Sequence, residues 1–233
     1  YPTYYEVGCF EVDEIPPVLN KSMCTALIPV IERCENLLDA CVAFPDEIIC
    51  KASSDYCFAG LLKAINDEPT NYYDRTMACR DQETCYPEQD YIETLNQEFV
   101  QGALEIEKQT NGKAANFTIS FDIIRDRYMD SGDFGTSSTS DLENIINHAS
   151  VDVMIYVGKK DWIVTALGTG RMLERMRFNG YAEFRAQPKV TLPWNTKEGG
   201  PAGTVKKIDG LWFVELNEAG HLVSSMLLRR LPH

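Results

Sequence analysis

The chain has 233 residues, a formal net charge of −13 and 44% hydrophobic residues. That apolar content suits a folded core of one or two domains and argues against global disorder. The acidity speaks against a nucleic-acid partner, since phosphate neutralisation needs a Lys/Arg surface. No apolar run approaches the roughly 20 residues of a membrane span, so no membrane partner is expected.

The start, Tyr1-Pro2-Thr3-Tyr4-Tyr5, lacks the basic-then-apolar pattern of a signal peptide and reads as the beginning of a processed segment. All eight cysteines lie between Cys9 and Cys85. An even, clustered set points to disulfides and an oxidising compartment. A metal is not expected, because no Cys-x-x-Cys occurs and His148, His221 and His233 lie far from the cluster.

From about Ser22 to Leu62 the pattern predicts two helices. Leu27, Ile31, Cys34, Leu38 and Cys41 recur at three- and four-residue intervals, and Pro45-Asp46 opens the second helix. Each helix carries two cysteines seven apart, hence on one face. Antiparallel packing would join Cys41 to Cys50 and Cys34 to Cys57, leaving Cys9 with Cys24 and Cys79 with Cys85. Eight cysteines permit roughly a hundred pairings; the hairpin favours this nested one.

Residues 68–87 read as a loop and 87–107 as one helix with a Tyr91, Ile92, Leu95, Phe99 stripe. Asn20-Lys21-Ser22 and Asn116-Phe117-Thr118 are sequons, making Asn20 and Asn116 candidate glycosylation sites. Gly135–Ser140 reads as a mobile loop. Residues 151–157 form a short, continuous apolar run, as in a buried parallel strand, and Thr165–Met176 reads as a helix. Val205–Lys207 and Trp212–Leu216 flank Asp209-Gly210, a hairpin signal.

Asp161 follows the first of these strands and Gly220-His221 follows the last. An acid after one strand and a histidine after a later one is the Asp…His tail of the α/β-hydrolase order. In that chemistry the histidine deprotonates a serine, and the acid orients the imidazole. The nucleophile would sit in Gly-x-Ser-x-Gly, a motif this chain does not contain.

Four passages carry a family resemblance: the cysteine ladder from Cys9 to Cys57 continuing to Cys79 and Cys85-Tyr86-Pro87; Leu95-Asn96-Gln97-Glu98-Phe99-Val100-Gln101-Gly102-Ala103-Leu104; Ile155-Tyr156-Val157-Gly158-Lys159-Lys160-Asp161-Trp162-Ile163; and Asn217-Glu218-Ala219-Gly220-His221-Leu222-Val223. Together they resemble the C-terminal half of serine carboxypeptidases of the fungal carboxypeptidase Y type. The resemblance implies an α/β fold, namely the C-terminal portion of an α/β-hydrolase with a disulfide-rich helical cap insertion. Residues 1–87 would form the cap and 88–233 part of the core. Asp161 and His221 would be the triad acid and base. Ile163, Val164 and Tyr5 would face the pocket for the residue before the scissile bond, Leu222 the pocket for the leaving residue, and Phe134 the cleft.

The chain departs from the family pattern in lacking the nucleophile half and in the Ser224 that follows Val223 in place of proline. The nucleophile, the oxyanion donors and the groups that hold the substrate carboxylate are therefore expected on a partner, an N-terminal segment of the same precursor. The substrate is a peptide losing its C-terminal amino acid, no cofactor is needed, and the location is the secretory pathway, vacuolar or extracellular. The alternatives are a non-catalytic, carboxypeptidase-like binding protein, or an acyltransferase or lyase on the same scaffold.

Overall fold

A computed structural model describes residues 2–66, 70–79, 85, 89–106, 116–118, 122–148, 150–196 and 199–223. Helix α1 (Pro2–Cys9) leads into a helical hairpin, α2 (Lys21–Ala43) and α3 (Glu47–Asn66). Each arm has a side-chain cap at its start. Asn20 Oδ1 accepts from the Met23 amide at 3.0 Å, and Asp46 Oδ1 accepts from the Ile48 and Ile49 amides. Bridges Cys34–Cys57 and Cys41–Cys50 staple the arms together, while Cys9–Cys24 ties α1 to α2 and Cys79–Cys85 closes a short loop. This is the nested pairing. The four hairpin cysteines are buried.

Residues 70–78 are not a loop. Strands β1 (Thr70–Asn71) and β2 (Asp74–Ala78) form an antiparallel ribbon. Its strands are short and polar, so hydrophobic alternation had nothing to report. The helix expected over 87–107 is two within its described part, α4 (Gln89–Leu95) and α5 (Glu98–Ala103). The break falls at Asn96, whose side chain exchanges hydrogen bonds with the backbone of Phe117 at 2.6 and 3.0 Å; such side-chain bonding competes with a helix. The segment 135–140, expected as a loop, is partly helical. Gly135 ends a 3₁₀ turn (Asp133–Gly135), and Thr139 and Ser140 open α7 (Thr139–His148). Helix α6 (Asp122–Asp130) and the 3₁₀ turn pack on α3. A Cβ on Gly135 would fall on Ser54 Oγ, so glycine permits this approach.

A four-stranded sheet runs in the order β3-β6-β5-β4. Strand β3 (Val153–Gly158) pairs in parallel with β6 (Leu211–Leu216). Strand β5 (Gly203–Ile208) forms the expected hairpin with β6, turning at Gly210 with φ 73°. Strand β4 (Val190–Thr191), too short for a sequence signal, completes the edge. The crossover from β3 includes α8 (Ala166–Arg175) and α9 (Tyr181–Ala186). The Thr165 hydroxyl caps α8 by accepting from the Gly168 amide at 3.0 Å.

One apolar core gathers Val157, Leu173, Phe184 and Phe213; a second gathers Leu192, Val205, Val214 and Leu216. A third surrounds Trp162 with Tyr4, Val7, Leu27 and Ile31, joining the loop after β3 to α1 and α2. The β3 run is covered on one face only among the described residues. Val153 and Ile155 pack inward, whereas Met154 and Tyr156 are 59% and 58% exposed. None of the described helices is long and apolar enough to cross a membrane.

Candidate active site

Parallel pairing brings the C-terminal ends of β3 and β6 together, with Gly158 opposite Leu216. The loops that follow are zipped to each other. The Lys159 amide donates to Leu216 O at 2.9 Å and the Lys160 amide to Ala219 O at 3.0 Å. Lys160 Nζ meets Glu218 Oε2 at 2.6 Å. Any Cβ on Gly158 would collide with the carbonyl oxygens of Ala219 and Gly220, so the two loops touch only because β3 ends in glycine.

This contact brings together two groups 60 residues apart. His221 Nδ1 lies 2.8 Å from Asp161 Oδ2. Asp161 is 2% exposed, and its Oδ1 accepts from the Ile163 and Val164 amides, both at 3.0 Å. The carboxylate is therefore held from two sides. The imidazole side chain is 37% exposed. With Nδ1 engaged, Nε2 is the nitrogen that remains to exchange a proton with a substrate.

The electrostatics follow from the geometry. Burial pushes the Asp161 carboxyl above its ordinary range; the His221 bond and the backbone amides offset part of that rise. The hydrogen bond to Asp161 lifts His221 above its usual value, against an opposing contribution from burial. Each partner thus raises or restrains the other through one short contact, and the backbone amides of Ile163 and Val164 fix the carboxylate in place.

A residue stretch missed by the sequence pattern frames the pair. The β1–β2 turn places the Tyr73 ring 5.1 Å from the imidazole, centroid to centroid. The Tyr73 carbonyl accepts the His221 amide at 2.8 Å. A usable signal was present in Asn71-Tyr72-Tyr73-Asp74, because Asn and Asp at such spacing favour side-chain-closed turns.

Beside the pair lies a cavity of about 1010 Å³. Ile163, Val164 and Phe134 line it, as do Tyr72 and Tyr73. Phe134 is steadied edge-on by Phe58 and Tyr128, each at 5.9 Å. Tyr5 does not line the cavity. It packs against Phe10, whereas its neighbour Tyr4 lines the cavity and stacks on Trp162 at 4.8 Å. The difference between the two neighbours is a helical one: α1 turns adjacent side chains to different faces. Leu222 is 36% exposed beside His221 and also lies outside this cavity. Among the described residues, no group of three His, Cys, Asp or Glu side chains could hold a metal ion.

Comparison with known proteins bears on this geometry. Residues 9–228 match the sequence pattern of the family described as serine carboxypeptidase. The chain belongs to the serine carboxypeptidase family. Carboxypeptidase Y of Schizosaccharomyces pombe is 31% identical over 210 residues, which span 89% of this chain and 20% of that protein. Carboxypeptidase Y homolog A of Uncinocarpus reesii is 28% identical over 226 residues, spanning 96% of this chain and 40% of the relative. Among solved structures, Kex1(delta)p, a prohormone-processing carboxypeptidase from Saccharomyces cerevisiae, superposes with a TM-score of 0.66 at 16% identity. That match covers 88% of this chain and 45% of the other. The chain thus spans less than half the length of these relatives. The fold of this serine carboxypeptidase family member is the C-terminal portion of an α/β-hydrolase with a disulfide-rich helical insertion.

Proposed function

We propose that this chain supplies the acid–base half of a serine-type carboxypeptidase that releases C-terminal amino acids from peptides. The observation that carries the reading is the 2.8 Å contact between a buried Asp161 and an accessible His221 at adjacent strand ends. Such a pair activates a hydroxyl. His221 Nε2 takes the serine proton as the serine oxygen bonds to the scissile carbonyl. The same nitrogen returns the proton to the leaving amine as the peptide C–N bond breaks, and water then hydrolyses the acyl-enzyme by the reverse proton traffic. No metal or organic cofactor enters these steps.

The serine belongs, on this reading, to an N-terminal segment of the same precursor. The exposed Met154–Tyr156 face and the free edge of β3 among the described residues support a protein neighbour there. Ile163, Val164 and Tyr4 shape the pocket for the residue preceding the scissile bond, with Phe134 at the cleft wall and Leu222 on the leaving-residue side. Residues 1–87 act as the cap and 88–233 as part of the core. Four disulfides favour an oxidising location, in the secretory pathway or vacuole. Asn20 and Asn116 are exposed sequon residues and are proposed to carry glycan.

The test is a fluorophosphonate probe applied to the native preparation, followed by assay on blocked dipeptides. Labelling of a companion serine segment with release of the C-terminal residue supports the hydrolase. Absence of labelling in every chain favours a non-catalytic binding protein. Labelling with turnover of acyl esters alone favours an acyltransferase.

A further inference from the structure

The turn between β1 and β2 belongs to the cap side of the chain, yet it is hydrogen-bonded to both loops of the candidate active site. On the acid side, the Tyr72 carbonyl accepts from the Trp162 and Ile163 amides at 3.2 and 3.1 Å, and the Arg75 amide donates to Lys160 O at 2.9 Å. On the base side, the Tyr73 carbonyl accepts from the His221 amide at 2.8 Å. One turn therefore bonds to both loops, adding a second tie beside the Lys159 and Lys160 bonds that join them directly.

The turn is itself held by a side chain. Asn71 is fully buried; its Oδ1 accepts from the Tyr73 amide at 2.8 Å and the Asp74 amide at 3.3 Å, and its Nδ2 donates to Cys85 O at 3.4 Å. Buried Asp74 and Arg75 continue the anchorage. Asp74 accepts from the Thr76 amide and hydroxyl, and the Arg75 guanidinium donates to the carbonyls of Val7 and Val12. With its carboxamide facing two amides of the turn, Asn71 orients the carbonyls of Tyr72 and Tyr73 toward the two catalytic loops.

We infer that Asn71 is a positioning residue for the Asp161–His221 pair, acting through the Tyr72-Tyr73 turn that clamps the acid loop to the base loop. The inference rests on the proposed acid–base role of that pair. It assigns to the cap a duty in holding the catalytic geometry, besides any in covering it.

The test uses Asn71→Ala and Asn71→Ser, the serine retaining a weaker side-chain acceptor for the turn. In the isotope-labelled chain, N71A is expected to abolish or broaden the His221 Nδ1 proton resonance and shift the imidazole titration, while N71S retains both in large part. In the assembled enzyme, kcat on a blocked dipeptide is expected to fall at least tenfold in N71A with KM changed less than threefold, and N71S to recover most of the loss. A folded N71A with unaltered imidazole spectrum and kcat overturns the proposal. Should N71A not fold, amide exchange in the unmodified chain decides. The His221, Ile163 and Asp74 amides are expected to exchange as one cooperative unit, and a His221 amide exchanging independently of the other two overturns the clamp. An inactive assembly of unmodified chains would count against the hydrolase reading alone, because the spectroscopic and exchange arms do not depend on turnover.

Discussion

Asp161 and His221 differ in burial, and that difference sets how they respond to pH and to substitution. The carboxyl is lifted by burial and the imidazole by the carboxyl. Replacing Asp161 with Asn removes the lift and leaves burial acting alone, so the His221 pKa is expected to drop below the ordinary histidine value of about 6.5. An imidazole NMR titration of the two chains measures this. If the proposed serine enzyme assembles, the same change is expected to reduce its kcat on the order of 10⁴-fold, because the wrong tautomer would face the serine. Gly158 is a second test at this scale. Gly158→Ala drives a methyl into the carbonyls of Ala219 and Gly220. The expected outcome is about 1–3 kcal/mol lost in urea unfolding, with the His221 Nδ1 proton signal weakened as the loops part.

Elements hold this pair in place by different means. The α2–α3 hairpin depends on its staples: Cys34–Cys57 closes a sequence separation of 23 residues. Replacing both cysteines with serine is expected to cost about 3 kcal/mol, mainly by freeing the unfolded chain, which denaturant titration under non-reducing conditions checks. Trp162 does the complementary work between α1–α2 and the loop after β3, being fully buried against Tyr4, Val7 and Leu27, with its Nε1 donating to Tyr4 O at 3.0 Å. The elements differ in how clearly the sequence announced them. Helices α2 and α3 were legible from apolar residues at helical intervals, strand β3 from a continuous apolar run, and the β5–β6 hairpin from the Asp209-Gly210 turn between them. Strands β1 and β4 were not, having two residues apiece, and the α4–α5 break depends on a side-chain bond from Asn96 to distant Phe117. Local pattern carries no record of such a partner.

At the scale of the molecule, the sheet has a covered side and, at β3, one left open among the described residues. If the serine-bearing segment docks along β3, Tyr156→Lys should block its association while leaving the Asp161–His221 spectrum unchanged; size-exclusion chromatography of the reconstituted parts measures the outcome. The fold as a whole also couples to pH through the Asp161–His221 pair. A group with a raised folded-state pKa adds stability that is fully present below its unfolded value and is lost as pH rises through the folded one. Both members of the pair are raised, so both contributions decline with rising pH: Asp161 from just above the ordinary 3.8, His221 from the ordinary 6.5 upward. The melting temperature of the unmodified chain is therefore expected to exceed that of His221→Gln by more at pH 6 than at pH 9.

By itself the sequence determined which chemical groups are available: an acid and a histidine after separate strands, eight cysteines of which four lie at hairpin spacing, and no serine elbow. Those are matters of residue type and short-range period, which a linear chain displays directly. Only the tertiary structure decided that Asp161 and His221 meet at 2.8 Å, that Tyr4 rather than Tyr5 reaches the cavity, and that a polar turn around Asn71 joins both loops. Each of these depends on long-range approach, through the register of β3 on β6, the rotation of α1 about Trp162, and backbone hydrogen bonds between segments far apart in the chain, and none leaves a periodic trace in the residues that make it.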